Sequence, residues 1–400
     1  MIAPQTPDTV LQTATPAPQH LSPSSEAGTK SPQDSTTPSQ NLITPQRQNL
    51  TTQPQQNCHS PLTRSYKLIE FRGITLPFLK QYRIGFPALD RRFRRQMAQT
   101  QLDIVHAHDP FMAGHEAIRV ARRQGIPVVG TFHSKYSDDF QQVTHSKTLA
   151  RWGVHFIVSF YTKCDQVWTV SNSAADVLRA YGYKGAIEVV ENGTDRIEAD
   201  PEIVRMVSEC YGLGELPVLL FVGQMNWKKN VRRILEAVKI LVEQGRALKL
   251  VLAGQGPSEP EIRALAAAMG LGKLVVFTGH VSDPQVLHGL YARANLLVFP
   301  SLYDTAGLVV SEAAALGTPA LLVAGSSAAE AVKDGENGFL AKDTPQDLAE
   351  RIAWALEHPD RLREIGQAAR MSIPRPWKDV VAGVLDRYEE LIASYESRQR

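Results

Sequence analysis

Cysteine is scarce in this chain of 400 residues. Cys58, Cys164 and Cys210 stand far apart with no C-x-x-C pair, which excludes a disulfide framework and a cysteine-built zinc site and suits a reducing, cytoplasmic setting. An excess of one charge is lacking as well. Forty-three Lys and Arg face 41 Asp and Glu, a formal +2, too little to argue for a nucleic-acid partner. No apolar run approaches the roughly 20 residues of a membrane span; the greasiest, Val154 to Tyr161, is far too short. The first residues lack a basic stretch followed by an apolar one, so no secretory signal is expected. Aliphatic residues are sparse over residues 1–65, where Pro, Gln, Thr and Ser dominate. Such a segment cannot bury enough apolar area to offset the entropy of ordering it. A disordered tail is expected there, as a plain linker or a partner-binding arm.

Past residue 65 the composition changes abruptly. Residues 66–100 carry Lys67, Arg72, Lys80, Arg83, Arg91, Arg92, Arg94 and Arg95 against only Glu70 and Asp90, with Tyr66, Phe71, Phe78, Tyr82 and Phe86 interleaved. A basic surface studded with apolar residues suits an anionic membrane surface. A solvated helix face around DRRFRRQ is the other reading of the same residues.

From Leu102 onward strands and helices alternate. LDIVH, IPVVGTF, DQVWTV and IEVV read as strands, with helices over Phe111–Gln124, Ser146–Lys163 and a third capped by Ser171 or Ser173. PVLLFVG, LKLVLAG and VVFTG continue the rhythm, with helices from about Asn230 to Gln244 and through Tyr291. Alternation at this pace predicts an α/β fold of βαβ units with parallel sheets. Histidines gather at strand ends: His106, His108 and His133. The last sits immediately past a strand's carboxyl end, where open α/β sheets bind ligands.

The stretch Val298–Leu321, VFPSLYDTAGLVVSEAAALGTPAL, holds the strongest candidate site. An apolar strand, Leu296–Phe299, breaks at Pro300-Ser301. A loop with one carboxylate, Asp304, leads to a short helix from about Gly307 to Leu316, ended by Gly317 and Pro319. The N–H groups of Gly307, Leu308 and Val309 offer an anion site at the positive end of the helix dipole. Glu312 falls between Leu308 and Leu316 on what reads as the greasier face of that helix, where a carboxylate needs donors. A vicinal diol such as a ribose pair would satisfy it; pairing with a lysine or turning out to solvent are the other readings.

Asp304, seven residues, then Glu312, with Pro-Ser before and Gly-x-Pro after, resembles the E-x7-E signature of the retaining glycosyltransferases called family 4 of the GT-B fold. The first carboxylate is Asp where Glu is usual. VGQMNWKKN resembles the family's VGR-x4-K, with Lys229 in register and Gln224 in place of the arginine. ENGTD, residues 191–195, resembles the interdomain linker, where Asn192-Gly193 suits a turn with positive φ. Gly254-x-Gly256 is a weak motif that a plain turn also explains; in register with the family it lets backbone approach the nucleotide. Gly279-His280-Val281 matches the loop that cups the base.

The resemblance implies two Rossmann-like doubly wound domains facing a cleft. They would be an acceptor-side domain over 66–195 and a nucleotide-sugar domain over 196–376, with a helix over 377–400 crossing back to the first. The family's opening strand and glycine-rich loop would fall within residues 1–65, which show no strand pattern and hold a single glycine, Gly28; the first sheet is therefore expected to lack that strand. The implied activity is retaining transfer of a hexose from a nucleotide-diphosphate sugar to a lipid or glycan acceptor, with no metal ion and no cofactor beyond that co-substrate. No D-x-D occurs, in keeping with a site that uses Lys229 and a helix N-terminus. The implied site residues are His133, Lys229, Asp304 and Glu312 for catalysis. Gly223, Gln224, Lys229, Gly254, Gly256, Val281, Gly307, Leu308, Val309 and Glu312 would hold the nucleotide sugar. A cytoplasmic protein, peripheral at the inner membrane face, is the implied setting. A nucleotide-sugar binder without transferase activity and an epimerase or hydrolase on the same fold remain the alternatives.

Overall fold

The computed structural model describes residues 67–76 and 79–400; the tail expected over 1–65 lies outside the described residues. The described chain falls into two compact units, divided between Met97 and Ala98.

In the first unit an antiparallel hairpin pairs β1, Gly73–Leu76, with β2, Leu79–Gly85. Helix α1 follows, Arg91–Ala98. Asp90 starts it: its Oδ1 accepts from the N–H groups of Arg92 at 2.9 Å and Phe93 at 3.1 Å, and its Oδ2 from Arg72 N–H at 3.1 Å. Those bonds to the ionised form, Phe93's first, hold the Asp90 carboxyl below the usual carboxylate range. Phe93 and Met97, one turn apart, are buried, while Arg91, Arg92, Arg94 and Arg95 are exposed. Ile74 and Leu89 also face out.

The second unit holds two parallel sheets. The first contains β3, Val105–Ala107; β4, Val128–Phe132; β5, Gln166–Thr169; and β6, Glu188–Val189, in that spatial order. Between them run α2, Met112–Gln124; α3, Tyr136–Thr144; α4, Lys147–Tyr161; and α5, Asn172–Ala180. The helix ends follow local chemistry. Gly125 closes α2 in the left-handed region at φ 67°, and Ser146 and Ser171 cap α4 and α5 through their hydroxyls.

After α6, Pro201–Cys210, the second sheet begins with β7, Val218–Val222. It continues through α7, Val231–Glu243; β8, Lys249–Ala253; α8, Glu259–Ala268; β9, Val275–Gly279; and α9, Pro284–Arg293. Then come β10, Leu296–Phe299; α10, Leu308–Ala315; β11, Ala320–Val323; and β12, Phe339–Ala341. Helices α11, Pro345–Glu357; α12, Pro359–Ser372; and α13, Trp377–Gln399 complete the chain. The strand order is β12-β11-β10-β7-β8-β9, all parallel. Leu219, Leu220, Leu250, Leu252, Leu297 and Val298 are fully enclosed, which is why these strands read as continuous apolar runs.

Helix α13 packs on the first sheet. Tyr388 stacks on Trp168 with ring centroids 5.6 Å apart, and Leu391 joins Val129 and Trp168 in one buried cluster. The segment before it meets the linker: Thr194 N–H donates to Arg375 O at 2.7 Å, and Trp377 N–H to Asp195 Oδ1 at 2.9 Å. The expected positive φ at Asn192-Gly193 is absent. Glycine is required for another reason, because a Cβ at Gly193 would lie 2.6 Å from the Trp377 ring. Among the described residues no helix is long and apolar enough to cross a membrane.

Candidate active site

The strand order of the second sheet reverses between β7 and β10, and a crevice opens at the carboxyl ends of strands at such a switch point. The loop after β7 supplies Lys229 and the loop after β10 supplies Asp304. Their side chains meet there, Lys229 Nζ donating to Asp304 Oδ1 at 2.6 Å. Asn226 caps the short 3-10 turn Trp227–Lys229, and Asn230, left-handed at φ 59°, donates its amide to Pro300 O at 3.2 Å, tying the two loops together. Asp304 Oδ2 is buried without a hydrogen-bond partner. A carboxylate oxygen in that state has lost water and gained nothing, a cost that a ligand hydroxyl would relieve.

Three residues on, Gly307 starts α10 in the left-handed region at φ 56°. A Cβ there would lie 2.8 Å from Ala328 Cα. Val310 N–H is the first in the helix to turn back, to Gly307 O at 2.8 Å, so the preceding N–H groups of Gly307, Leu308 and Val309 stand at the open end of the dipole. The face of α10 differs from expectation. Val310, Ala313, Ala314 and Ala315 are buried, whereas Leu308 is 45% exposed and Glu312 half-buried. The small residues pack inward because they let the helix approach the sheet closely. Glu312 is therefore not wedged between two leucines; its Oε2 accepts from the Tyr291 hydroxyl at 2.7 Å. Burial, then the Glu312 charge, push the Tyr291 hydroxyl well above its ordinary pKa, so it stays a donor.

The glycines of the β7 and β8 loops serve each other. A Cβ on Gly254 would sit 2.0 Å from Gly223 O, and one on Gly256 2.5 Å from Met225 O. Gln224, between them, is exposed, and Val281 lies half-buried against the second core.

From the first sheet, His133 stands just past β4. Its Nε2 is 2.9 Å from His108 Nδ1, so one proton is shared between two neutral rings. Burial first, then the His108 charge, bring His133 down to about 4; burial also lowers His108. His106 is structural: its Nδ1 meets the Tyr388 hydroxyl and its Nε2 the Thr131 hydroxyl at 2.6 Å. Among the described residues no group of three or more His, Cys, Asp or Glu is disposed to hold a metal ion.

The two sheets are clasped directly across this site. Thr305 Oγ1 donates to His133 O at 2.6 Å, and Ser171 Oγ to Thr305 O at 2.5 Å. The Lys135 ammonium donates to Leu302 O at 3.0 Å and Ser327 Oγ at 3.3 Å. Ser173 and Ser327 share a hydrogen bond of 2.7 Å, and the Glu330 carboxylate accepts from the first N–H groups of α5, Asn172 at 3.0 Å and Ser173 at 2.6 Å.

Both halves of the chain match known families. Residues 212–372 match the family model described as glycosyl transferases group 1, and residues 42–197 the model described as Glycosyltransferase Family 4. The second match begins upstream of residue 66, the expected start of the acceptor-side domain. HepE of Anabaena, solved in complexes with UDP, with UDP and glucose, and with UDP-glucose, shares the fold. Its UDP complex superposes with a TM-score of 0.66 at 18% identity over 82% of this chain and 87% of that one. The putative glycosyltransferase EpsD of Bacillus subtilis is 28% identical over 72% of this chain and 76% of its own length. D-inositol 3-phosphate glycosyltransferase 2 of Catenulispora acidiphila is 30% identical over 72% of this chain and 71% of its own. The chain belongs to the GT-B glycosyltransferases.

In this GT-B glycosyltransferase the loops place Lys229 against Asp304 and bring His133 to Thr305, the neighbour of Asp304. Glu312 is held separately by Tyr291. Sequence reasoning passed over Lys135, Ser327 and Glu330, and read Ser173 only as a possible helix cap. Lys135 had a usable signal, standing three residues past the carboxyl end of β4. Glu330 had none, since its partners lie 157 and 158 residues away.

Proposed function

We propose that the chain transfers a hexose from a nucleotide-diphosphate sugar to an acceptor hydroxyl with retention of configuration, as a family 4 enzyme working without a metal ion. The observation that carries this reading is the Lys229–Asp304 pair at the switch point of the second sheet, with one oxygen of Asp304 buried and unpartnered. Lys229 and the N-terminus of α10 stabilise the departing diphosphate, the place where negative charge develops. The free oxygen of Asp304 accepts from a hydroxyl of the transferred sugar, and Glu312 holds the ribose diol. His133, neutral at pH 7, exchanges hydrogen bonds with the sugar or the acceptor. The acceptor hydroxyl attacks from the face that the diphosphate leaves, and the leaving phosphate takes its proton. The UDP and UDP-glucose complexes of HepE support a nucleotide-sugar donor.

In this reading residues 66–195 form the acceptor side, 196–376 the donor side, and 377–400 the brace between them. The acceptor is a lipid or a glycan precursor. The exposed arginines of α1 and the exposed Leu89 support contact with an anionic membrane surface.

Incubation with UDP-, GDP- and ADP-hexoses and a panel of lipid and glycan acceptors tests the activity. Glu312→Ala is expected to raise the donor KM at least tenfold or to abolish turnover. A folded variant with unchanged kinetics would defeat the Glu312 assignment. The uncharged, exposed Gln224 at the family's arginine position favours a second reading, donor binding without transfer. Nucleotide binding with no product from any acceptor supports that reading; epimer or free sugar formed without acceptor indicates the epimerase or hydrolase.

A further inference from the structure

The hydrogen bonding of Glu312 is one-sided. Its Oε2 accepts from the Tyr291 hydroxyl at 2.7 Å, and among the described residues no donor reaches its Oε1. A half-buried glutamate on a helix ordinarily moves among several rotamers, and a ligand that needs one of them must bear the entropy of fixing it.

Tyr291 is a rigid partner. It is fully enclosed on α9, within the core of the second sheet. Its carbonyl accepts from Thr318 Oγ1 at 2.6 Å, and the Thr318 N–H donates to Ala313 O at 2.9 Å. Ala313 follows Glu312 in α10. Tyr291 is thus tied to α10 twice, by its hydroxyl to the Glu312 side chain and by its backbone to the turn that ends the helix. A tyrosine has two side-chain torsions, and an enclosed ring leaves them little freedom, so the hydroxyl is a donor fixed in place. A carboxylate offers about four acceptor positions. The bond to Tyr291 therefore leaves Oε1, and a second lone pair on Oε2, for ligand hydroxyls.

We infer that Tyr291 is a positioning residue for the donor nucleotide, fixing the Glu312 carboxylate so that the site selects a ribose over a 2′-deoxyribose. This rests on the reading of Glu312 as the residue that holds the ribose diol, and deepens it. Two effects make the tyrosine matter. The carboxylate is ordered when the chain folds, so less entropy is lost when the nucleotide binds. A carboxylate that cannot turn away is also left unpaired by a sugar lacking one hydroxyl, which is how a built polar site rejects such an analogue. A mobile carboxylate would turn to water and discriminate less.

The test is calorimetric titration of the full chain with UDP, GDP and ADP and with their 2′-deoxy counterparts, on wild type, Tyr291→Phe, Glu312→Ala and the double variant. For the diphosphate that binds wild type, the ribose form is expected to bind about tenfold or more tighter than the deoxy form. Tyr291→Phe should lower that ratio by about 3- to 10-fold through the ribose form alone, with the deoxy form within about twofold of wild type. In the Glu312→Ala background the same change should leave the ratio where it is, because the two residues act as one unit. A merely structural hydroxyl would weaken both forms alike. A ratio unchanged in Tyr291→Phe but lost in Glu312→Ala overturns the inference and leaves the ribose reading intact. Equal binding of the two forms by wild type, a ratio that survives Glu312→Ala, or failure to bind any diphosphate removes both. A crystal structure of wild type with the bound diphosphate decides the matter if Tyr291→Phe does not fold. The Tyr291–Glu312 bond is expected to persist with the ribose hydroxyls on Glu312, and a Glu312 that has left Tyr291 to reach the ribose overturns the inference.

Discussion

Lys229 and Asp304 are 75 residues apart in the chain and 2.6 Å apart in space, each side chain about one-fifth exposed. Neither is comfortable alone there. Removing one partner strands a charge that has shed most of its water, whereas replacing both with apolar side chains of similar size leaves no charge to strand. Each of Lys229→Met and Asp304→Leu is therefore expected to cost about 1–3 kcal/mol of unfolding free energy, and the double variant less than the sum of the two. Urea denaturation of the four proteins closes the cycle. Additive losses would show that the pair is not coupled. On the proposed function all three variants lose turnover by at least about 100-fold, the scale of removing one charge-stabilising donor, so stability and activity part company in the double variant.

The histidine cluster makes stability depend on pH in a known direction. His106 is held well below its ordinary value by burial first and then by the charges of His108 and His133; His108 is lowered by burial, and His133 to about 4. His115, lowered by burial and by Lys163, adds to the same trend. The folded state thus refuses protons that the unfolded chain accepts near pH 6.5. The stability contributed by these neutral rings is fully present above that pH and declines as pH falls toward 4. Each such ring changes the unfolding free energy by at most about 1.4 kcal/mol per pH unit. Between pH 6.5 and 5, above the range where ordinary carboxylates titrate, urea midpoints should fall steadily, and His108→Gln should lessen the slope. A flat profile over that window would contradict the buried, neutral cluster.

Much of this architecture is legible in the residues, and the failures are physical. Strands β7 and β10, VLLFV and LLVF, lie within a parallel sheet and read as unbroken apolar runs. Gly125 and Ser146 announce their helix ends. Lys229 and Asp304 are each marked by the resemblance to the family's motifs, but their pairing was not legible, because the strand order that sets β7 beside β10 is a property of the folded sheet. The orientation of α10 was not legible. LVVSEAAA offers no strong apolar stripe, and pattern reading ranks leucine as the inward residue, whereas close packing against the sheet selects alanine. Tyr291, which satisfies Glu312, lies on a different helix 21 residues away. Gly193 carried the right residue for a different reason: a tryptophan ring 184 positions downstream fills the space where a side chain would go.

Gly254 gives a sharp test of how the donor loops are held. Its φ is 132°, and a Cβ would come within 2.0 Å of Gly223 O, a backbone atom that cannot swing aside. Gly254→Ala combines an unfavourable dihedral with a steric overlap, and is expected to cost about 2–4 kcal/mol. Gly270→Ala makes the control, since its φ of 76° is equally left-handed but nothing lies within 4 Å of the added carbon. It should cost only the dihedral penalty, about 1–2 kcal/mol. Thermal unfolding of the two variants separates strain from collision. Equal losses would mean that the β7 and β8 loops move apart freely.

Glu330 accepts from the N–H groups of Asn172 and Ser173 at the start of α5, so one carboxylate of the second sheet's half caps a helix of the first. Two charge-assisted bonds at the positive end of a nine-residue helix are worth at most about 1–2 kcal/mol for an exposed carboxylate such as Glu330. That shifts the balance between clasped and parted sheets by at most roughly 5- to 30-fold. Glu330→Gln keeps an acceptor oxygen but loses the charge; Glu330→Ala loses both. If the clasped arrangement is the one that binds donor, its smaller population raises the apparent Kd in proportion. Glu330→Ala should therefore weaken donor binding, by at most roughly 5- to 30-fold and by less the more the clasped state predominates, and Glu330→Gln by less again, both with a larger radius of gyration in small-angle scattering. High salt should narrow the gap between wild type and Glu330→Gln, because screening removes the charge term and leaves the hydrogen bonds. Unchanged scattering and unchanged donor affinity in Glu330→Ala would show that the remaining contacts, Ser171 with Thr305 and Ser173 with Ser327, hold the sheets together without it.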